Sequence, residues 1–419
     1  MNLAALERLA QLRDRLSSQV GAPSIAAAAE APERVRLGRP AGVSGPVDLF
    51  FTQCEVSERH GTGVLLERLF ADGRDVVSVR SMDLYEGEQR FGAARMKLAH
   101  ARAAWREVVA DVLERLGGLE VRRILCVPFT VGEVHTALAA QEVFGAPLCT
   151  WVMDDQNVEV DGIPDAPLRR LFERSRLLLA ISPELRRAYE AKFGHRFALA
   201  PPAVSPAFVQ GRPCEPDPER LARRRGLLFG NIWGERWLGD LLRTLEGSGI
   251  TLDWHSGAGT PWIHVDRDRL AAAGITVCPH LPEPQLVATL RASPFVVVPT
   301  GALEGEDSHG SVARLSLPSR LPYVAATAGT PIVVVGHPET GAARFVARHR
   351  LGVTVPYDRR AVADAVEALC QPETQTRHRA AAAALAPALS AEGMTEWIWR
   401  SLASGAPADD RFTHLEQTS

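Results

Sequence analysis

The chain has 419 residues, 46% of them hydrophobic, with 47 Lys and Arg against 50 Asp and Glu, which is material for two domains of ordinary size. A net charge of −3 gives no sequence-wide basic field for nucleic acid. Six cysteines stand far apart with no CxxC pair and no His at zinc spacing. No apolar run approaches the roughly 18 residues of a membrane span, and the start lacks a signal-peptide core, so a cytoplasmic protein is expected.

Residues 3–16 put Leu3, Leu6, Leu9, Leu12 and Leu16 on one helical face. That stripe fits packing on the body, a homodimer contact or, more weakly, peripheral membrane association. Residues 21–45 are rich in Ala, Pro and Gly and read as a linker.

From residue 47 strand and helix signals alternate. Strands are expected at 47–52, 76–79, 124–129, 148–153, 177–181 and 197–199, with helices at 64–71, roughly 89–116, 133–144 and, capped by Ser182-Pro183-Glu184, up to Lys192. A proline-rich stretch over 201–218 follows. A second series then places strands at 227–229, 250–254, 275–278, 295–298, 332–335 and 353–355, with helices near 237–246, 266–273, 283–291, 319–327, 340–349 and 360–369. Strands separated by single helices imply parallel sheets with right-handed crossovers. Two such series around a proline-rich hinge imply two doubly wound α/β domains facing a cleft. The expected domains are 46–210, completed by a C-terminal helix within 385–410, and 211–384, after an N-terminal helix and linker over 1–45.

The stretch 315–336 carries most of the functional information. A small-polar loop with Pro318 enters a short helix, Gly329-Thr330-Pro331 breaks it, and four β-branched residues end at Gly336. Ser319 is placed to cap the helix and Arg320 stands beside it with a planar donor fork. Free N–H groups, helix dipole and guanidinium then converge on one anion site. Thr340-Gly341 opens the next helix, where Thr340 serves as cap or as ligand. Met153-Asp154-Asp155-Gln156 ends a strand, and Asp154 or Asp155 is a candidate for binding acceptor hydroxyls or acting as base; the alternative is a turn cap. His60-Gly61-Thr62-Gly63 follows the first strand and opens a helix, and His60 has the ordinary pKa of a base at neutral pH. Asp266-Arg267-Asp268 matches a metal-binding Asp-x-Asp, but Asp266 as N-cap explains it better.

The series 227–369 resembles GT-B glycosyltransferases, above all the large retaining family whose C-terminal domain binds the nucleotide sugar. The resemblance rests on Leu228-Phe229-Gly230-Asn231-Ile232-Trp233-Gly234-Glu235-Arg236, on Ser316 to Gly329, and on Leu351-Gly352-Val353-Thr354-Val355-Pro356-Tyr357-Asp358 before a helix. It implies that Gly230 and Arg236, the latter at a usual Lys position, hold the donor diphosphate, with Asn231 where an Arg is usual. It implies that Ser316, Ser319 and Arg320 wrap the distal phosphate and ribose. It also implies that Gly61, Thr62 and Gly63 line acceptor and donor phosphates, and that Glu133 and His135 face the cleft. The family commonly carries two glutamates eight positions apart, and here those positions are about Ser316 and Val324. Glu304, Glu306 and Asp307 are candidates for a displaced carboxylate.

The resulting expectation is transfer of a sugar from a UDP- or GDP-type donor to a hydroxyl acceptor, without cofactor or catalytic metal. Arginines and helix N-termini would take the metal's charge-neutralising role. A non-hydrolysing nucleotide-sugar epimerase and a non-catalytic binding protein remain the alternatives.

Overall fold

The structure, a computed structural model, describes residues 37–71, 73–232, 234–255, 266–303 and 310–416. The expected helix over 3–16 and the residues Trp233, Glu304, Glu306 and Asp307 lie outside them.

Thirteen strands are present among the described residues: β1 Pro46–Thr52, β2 Val76–Arg80, β3 Ala94–Lys97, β4 Glu120–Cys126, β5 Leu148–Val152, β6 Leu177–Ala180, β7 Ala198–Leu199, β8 Arg225–Phe229, β9 Thr251–His255, β10 Ile275–Cys278, β11 Val296–Pro299, β12 Ile332–Val335 and β13 Gly352–Val355. One sheet runs β3-β2-β1-β4-β5-β6-β7 and the other β10-β9-β8-β11-β12-β13. Register is parallel throughout the second sheet, as in Ile332↔Gly352 and Val296↔Ile332. Strands such as β12 (Ile-Val-Val-Val) are buried along their whole length, which is why they read as apolar runs and not as alternating patterns. This is the α/β architecture of two doubly wound parallel sheets.

Chain packing divides the described residues into two compact units. One holds the chain up to Val152 with Gly162–Leu178 and Ser401–Ala406; the other holds Met153–Asp161, Leu179–Arg400 and the residues from Pro407. Each unit anchors a buried aspartate with two arginines. Asp48 on β1 takes Arg122 at 3.1 Å and Arg123 at 2.7 Å; Asp253 on β9 takes Arg220 at 2.9 Å and Arg225 at 2.6 Å. In the second unit Leu228, Trp254, Phe295, Val297, Val333 and Val362 form one core cluster. Gly226 is required there, because a Cβ would lie 2.1 Å from the Phe295 ring.

The helix expected over roughly 89–116 is not continuous. Residues 94–97 form edge strand β3, registered against β2 from Val77↔Ala94 to Arg80↔Lys97. Its Arg95 and Lys97 face solvent while Ala94 and Met96 are half-covered, a period of two hidden inside an Arg-rich segment. The helix proper is Trp105–Leu116, where the Glu107 carboxylate reaches back to the Ala104 N–H at 3.0 Å. A helix over Asp165–Arg174 also stands where no element was expected. Among the described residues, no helix is long and apolar enough to cross a membrane.

Candidate functional site

Strand order reverses at β1/β4 in one sheet and at β8/β11 in the other. In doubly wound sheets the chain leaving the carboxyl ends at such points is where ligands bind. The exits of β1 and β8 are therefore the places to look.

After β1, Glu55 turns inward and is 1% exposed. Its carboxylate accepts from the backbone N–H groups of Leu84 (3.0 Å), Tyr85 (3.2 Å) and Gly87 (2.6 Å). Burial pushes its pKa up, but these N–H bonds outweigh burial and hold the carboxyl below its ordinary range. His60 precedes the helix Gly61–Phe70 and does not cap it with its side chain. Its ring stands edge-on to Phe129, centroids 6.1 Å apart. Burial lowers the His60 pKa, with the Glu55 charge opposing, so the imidazole is neutral at pH 7. His60, Thr62 and Gly63 line a small pocket together with Thr52, Glu55 and Phe129. Gly63 is there for close approach, since a Cβ would meet the Ser57 carbonyl oxygen at 2.3 Å. Gly61 is exposed at the helix start.

Glu133 and His135 lie on the helix Val131–Phe144. Glu133 is buried in a capping box, accepting from the Thr130 N–H at 2.5 Å and from the Ser81 hydroxyl. Burial raises its pKa against those bonds. His135 Nδ1 meets the His100 carbonyl at 3.1 Å. Both side chains are thus engaged in local structure.

In the second unit β8 ends at Gly230, whose φ is +72°, and no described atom lies within 4 Å of where a Cβ would stand. The Gly230 N–H donates to the His255 carbonyl at 3.0 Å and its own carbonyl accepts from the Trp254 indole at 3.1 Å. Arg320 grips the turn from the same strand end, donating to the carbonyls of Phe229 (3.0 Å) and Asn231 (2.9 Å). Burial lowers its pKa to about 10, partly opposed by Tyr357, so it stays charged at neutral pH. The fork expected to face an anion is turned onto main-chain oxygens. Ser319 differs too: it is exposed, already in helical backbone (φ −57°, ψ −22°), and makes no side-chain cap for the helix Arg320–Thr327. The turn is carried instead by Leu321 N–H to the Pro318 carbonyl at 2.9 Å. Arg236 is exposed on the first turn of the helix Glu235–Leu245, 3.8 Å from Asp240.

Ser316 and Asp154, 162 positions apart, are brought into direct contact, the Ser316 hydroxyl donating to Asp154 Oδ1. The Asp155 N–H donates to the same oxygen at 3.0 Å. Burial raises the Asp154 pKa to about 6, against the Ser316 bond. Asp155 is fully buried and accepts from the N–H groups of Asn157, Val158 and Glu159 and from the Tyr189 hydroxyl. It builds the loop that presents its neighbour. Thr340 is also buried, capping the helix Gly341–Arg348 by accepting from Ala343 N–H at 3.2 Å. Gly341 abuts Ser316, whose carbonyl oxygen would lie 2.4 Å from an added Cβ.

Sequence reasoning missed Glu55, Trp254 and the pairing of Asp154 with Ser316. Glu55 sits in a polar loop and Trp254 in an apolar strand, so neither carries a local signal. Among the described residues, no group of three or more His, Cys, Asp or Glu is arranged to hold a metal ion.

No family model matches the sequence, and no curated protein matches it. Solved structures do match. Anabaena HepE in complex with UDP is 14% identical, with 85% of this chain and 100% of that chain covered at a TM-score of 0.57. Sucrose-phosphate synthase from Thermosynechococcus elongatus is 14% identical over 87% of this chain and 100% of that chain, TM-score 0.58. The lipopolysaccharide outer core galactosyltransferase WaaB is 12% identical over 86% and 100%, TM-score 0.57. With its two parallel sheets and these neighbours, the chain has the GT-B fold of nucleotide-sugar glycosyltransferases.

Proposed function

We propose that this protein is a metal-independent glycosyltransferase that moves a hexosyl group from a UDP- or GDP-type donor to a hydroxyl acceptor. The observation that carries the reading is the open Gly230 turn at the strand-order reversal of the second sheet. HepE, of the same fold, has structures with UDP and with UDP-glucose, which supports a diphosphate-bearing donor. In the reaction the bond between the anomeric carbon and the donor phosphate oxygen breaks. Its electron pair leaves with the nucleoside diphosphate, and the acceptor oxygen bonds to the anomeric carbon.

Each residue has an assigned task in this reading. Arg236, half exposed on the first helical turn, meets the departing phosphate charge. Asp154, steadied by Ser316, faces the positive charge that develops on the sugar. In the first unit, His60, neutral at pH 7, is the candidate base for an acceptor hydroxyl. The test is release of nucleoside diphosphate from a panel of UDP- and GDP-sugars, with mixed hydroxyl acceptors and with chelator present. Turnover of one donor, unchanged by chelator, is expected. A wild-type protein that turns over no donor and binds none at millimolar concentration contradicts the proposal.

A further inference from the structure

Three consecutive carbonyls leave β8 and all three are held by side-chain donors: Phe229 and Asn231 by Arg320, and Gly230 by Trp254. The described peptides are all trans, and in a trans peptide N–H and C=O point in opposite directions. Drawing the Gly230 carbonyl onto the Trp254 indole therefore drives the Asn231 N–H the other way. Arg320 fixes the peptides on either side, so the amide has no freedom to turn back. The Gly230 N–H is spent on His255. Among the described residues the Asn231 N–H has no partner, and the space over Gly230 is clear of described atoms.

We infer that Arg320 and Trp254 are positioning residues that aim the Asn231 backbone N–H at a phosphate oxygen of the bound diphosphate. This rests on the donor site proposed above and specifies its chemistry: the anion is met by main-chain N–H, and the guanidinium acts through the peptides it holds. The role then calls for the main-chain N–H of residue 231 and not for its side chain.

The test is calorimetric titration of wild type, Arg320→Lys, Asn231→Pro and the double variant with a nucleoside diphosphate, the matching nucleoside, and inorganic pyrophosphate. Lysine offers a compact ammonium in place of the planar fork, and proline deletes one N–H. Each single variant should weaken the diphosphate roughly ten- to a hundredfold, the range of one hydrogen bond to a charged group, and leave the nucleoside unchanged. The double variant should be no weaker than the worse single, because both changes act through one amide. Should Arg320→Lys fail to fold, Trp254→Phe removes the central donor and must show the same loss of diphosphate alone. If wild type binds the diphosphate but the two losses multiply, the amide assignment falls and the donor reading stands. If wild type binds pyrophosphate through this amide but no nucleoside diphosphate, the donor reading falls and the amide assignment stands. Binding of neither overturns both.

Discussion

The chain leaving each reversal point is tied down by a charged side chain, but the sign and the sense differ: the β1 exit supplies a carboxylate that holds the loop after β2, and the β8 exit is itself held by a guanidinium. After β1, the carboxylate of Glu55 gathers backbone N–H groups of Leu84, Tyr85 and Gly87. After β8, the guanidinium of Arg320 gathers backbone carbonyls of Phe229 and Asn231. Because each peptide has two opposed poles, the clamp decides which pole is left for a ligand. A loop pinned by its N–H groups turns carbonyls outward, which suits hydroxyl donors such as an acceptor sugar. A turn pinned by its carbonyls turns N–H outward, which suits phosphate. The same backbone is thus given two chemistries by one charge reversal.

The largest expected effect comes from closing the second of these sites. Gly230→Val places a branched side chain at φ +72°, a backbone region costing L-residues about 1–2 kcal/mol, and fills the open space. Nucleoside diphosphate affinity should fall more than about a hundredfold (roughly 3 kcal/mol) by titration, with the fold retained by circular dichroism. Next is Asp154→Asn, which should lower the transfer rate by about a hundredfold, the low end for a lost electrostatic contact to developing charge, with donor affinity little changed. The sign of its pH dependence follows from its raised pKa of about 6. Wild-type rate should rise with pH through about 6 as the Asp154 carboxylate ionises, and Asp154→Asn should keep only the rise contributed by His60, the base with a lowered pKa. The same group, whose folded pKa lies above its unfolded one, lowers folding stability as pH rises from its ordinary range through about 6.

Glu55→Gln tests the other half of the comparison. It should raise acceptor KM several-fold and leave donor affinity alone, since its N–H partners belong to the first unit only. With the folded pKa held below the ordinary range, the stability Glu55 contributes is present at neutral pH and lost as pH falls through that depressed value. Thermal midpoints of wild type and Glu55→Gln should therefore converge in acid. The smallest effect is reserved for Ser319→Ala. A true N-cap would cost about 1 kcal/mol on replacement, but Ser319 caps nothing, so midpoint and donor affinity should stay at wild-type values.

Much of the fold was legible because it rests on local signals. The run 332–335 reads as a buried strand and is one. Ser182 and Asp266 read as helix caps and accept from Leu185 N–H and from Asp268 and Arg269 N–H. Edge strand β3 was illegible because its charged alternation is masked by flanking arginines. The candidate site was legible in its glycines and loops but not in its partnerships. In the sequence, Ser319 and Arg320 read as a cap and a cation facing one anion. Nothing local shows that the Arg320 fork is spent on carbonyls 89 and 91 positions away. Nor could spacing reveal that a carboxylate would stand against Ser316, where the resembled family commonly has a glutamate, since Asp154 reaches it from 162 residues earlier. Such contacts are made by tertiary packing, which a one-dimensional pattern does not encode.

The most direct measurement is the thermal midpoint of the wild-type chain against a panel of nucleoside diphosphates at millimolar concentration. A ligand at about 100 times its Kd stabilises by about 2.7 kcal/mol, and units of this size gain roughly 2–4 °C per kcal/mol. The account predicts that one nucleoside diphosphate raises the midpoint by several degrees, and that Gly230→Val abolishes the shift. A midpoint that no nucleoside diphosphate moves, or a shift that survives in Gly230→Val, would contradict it.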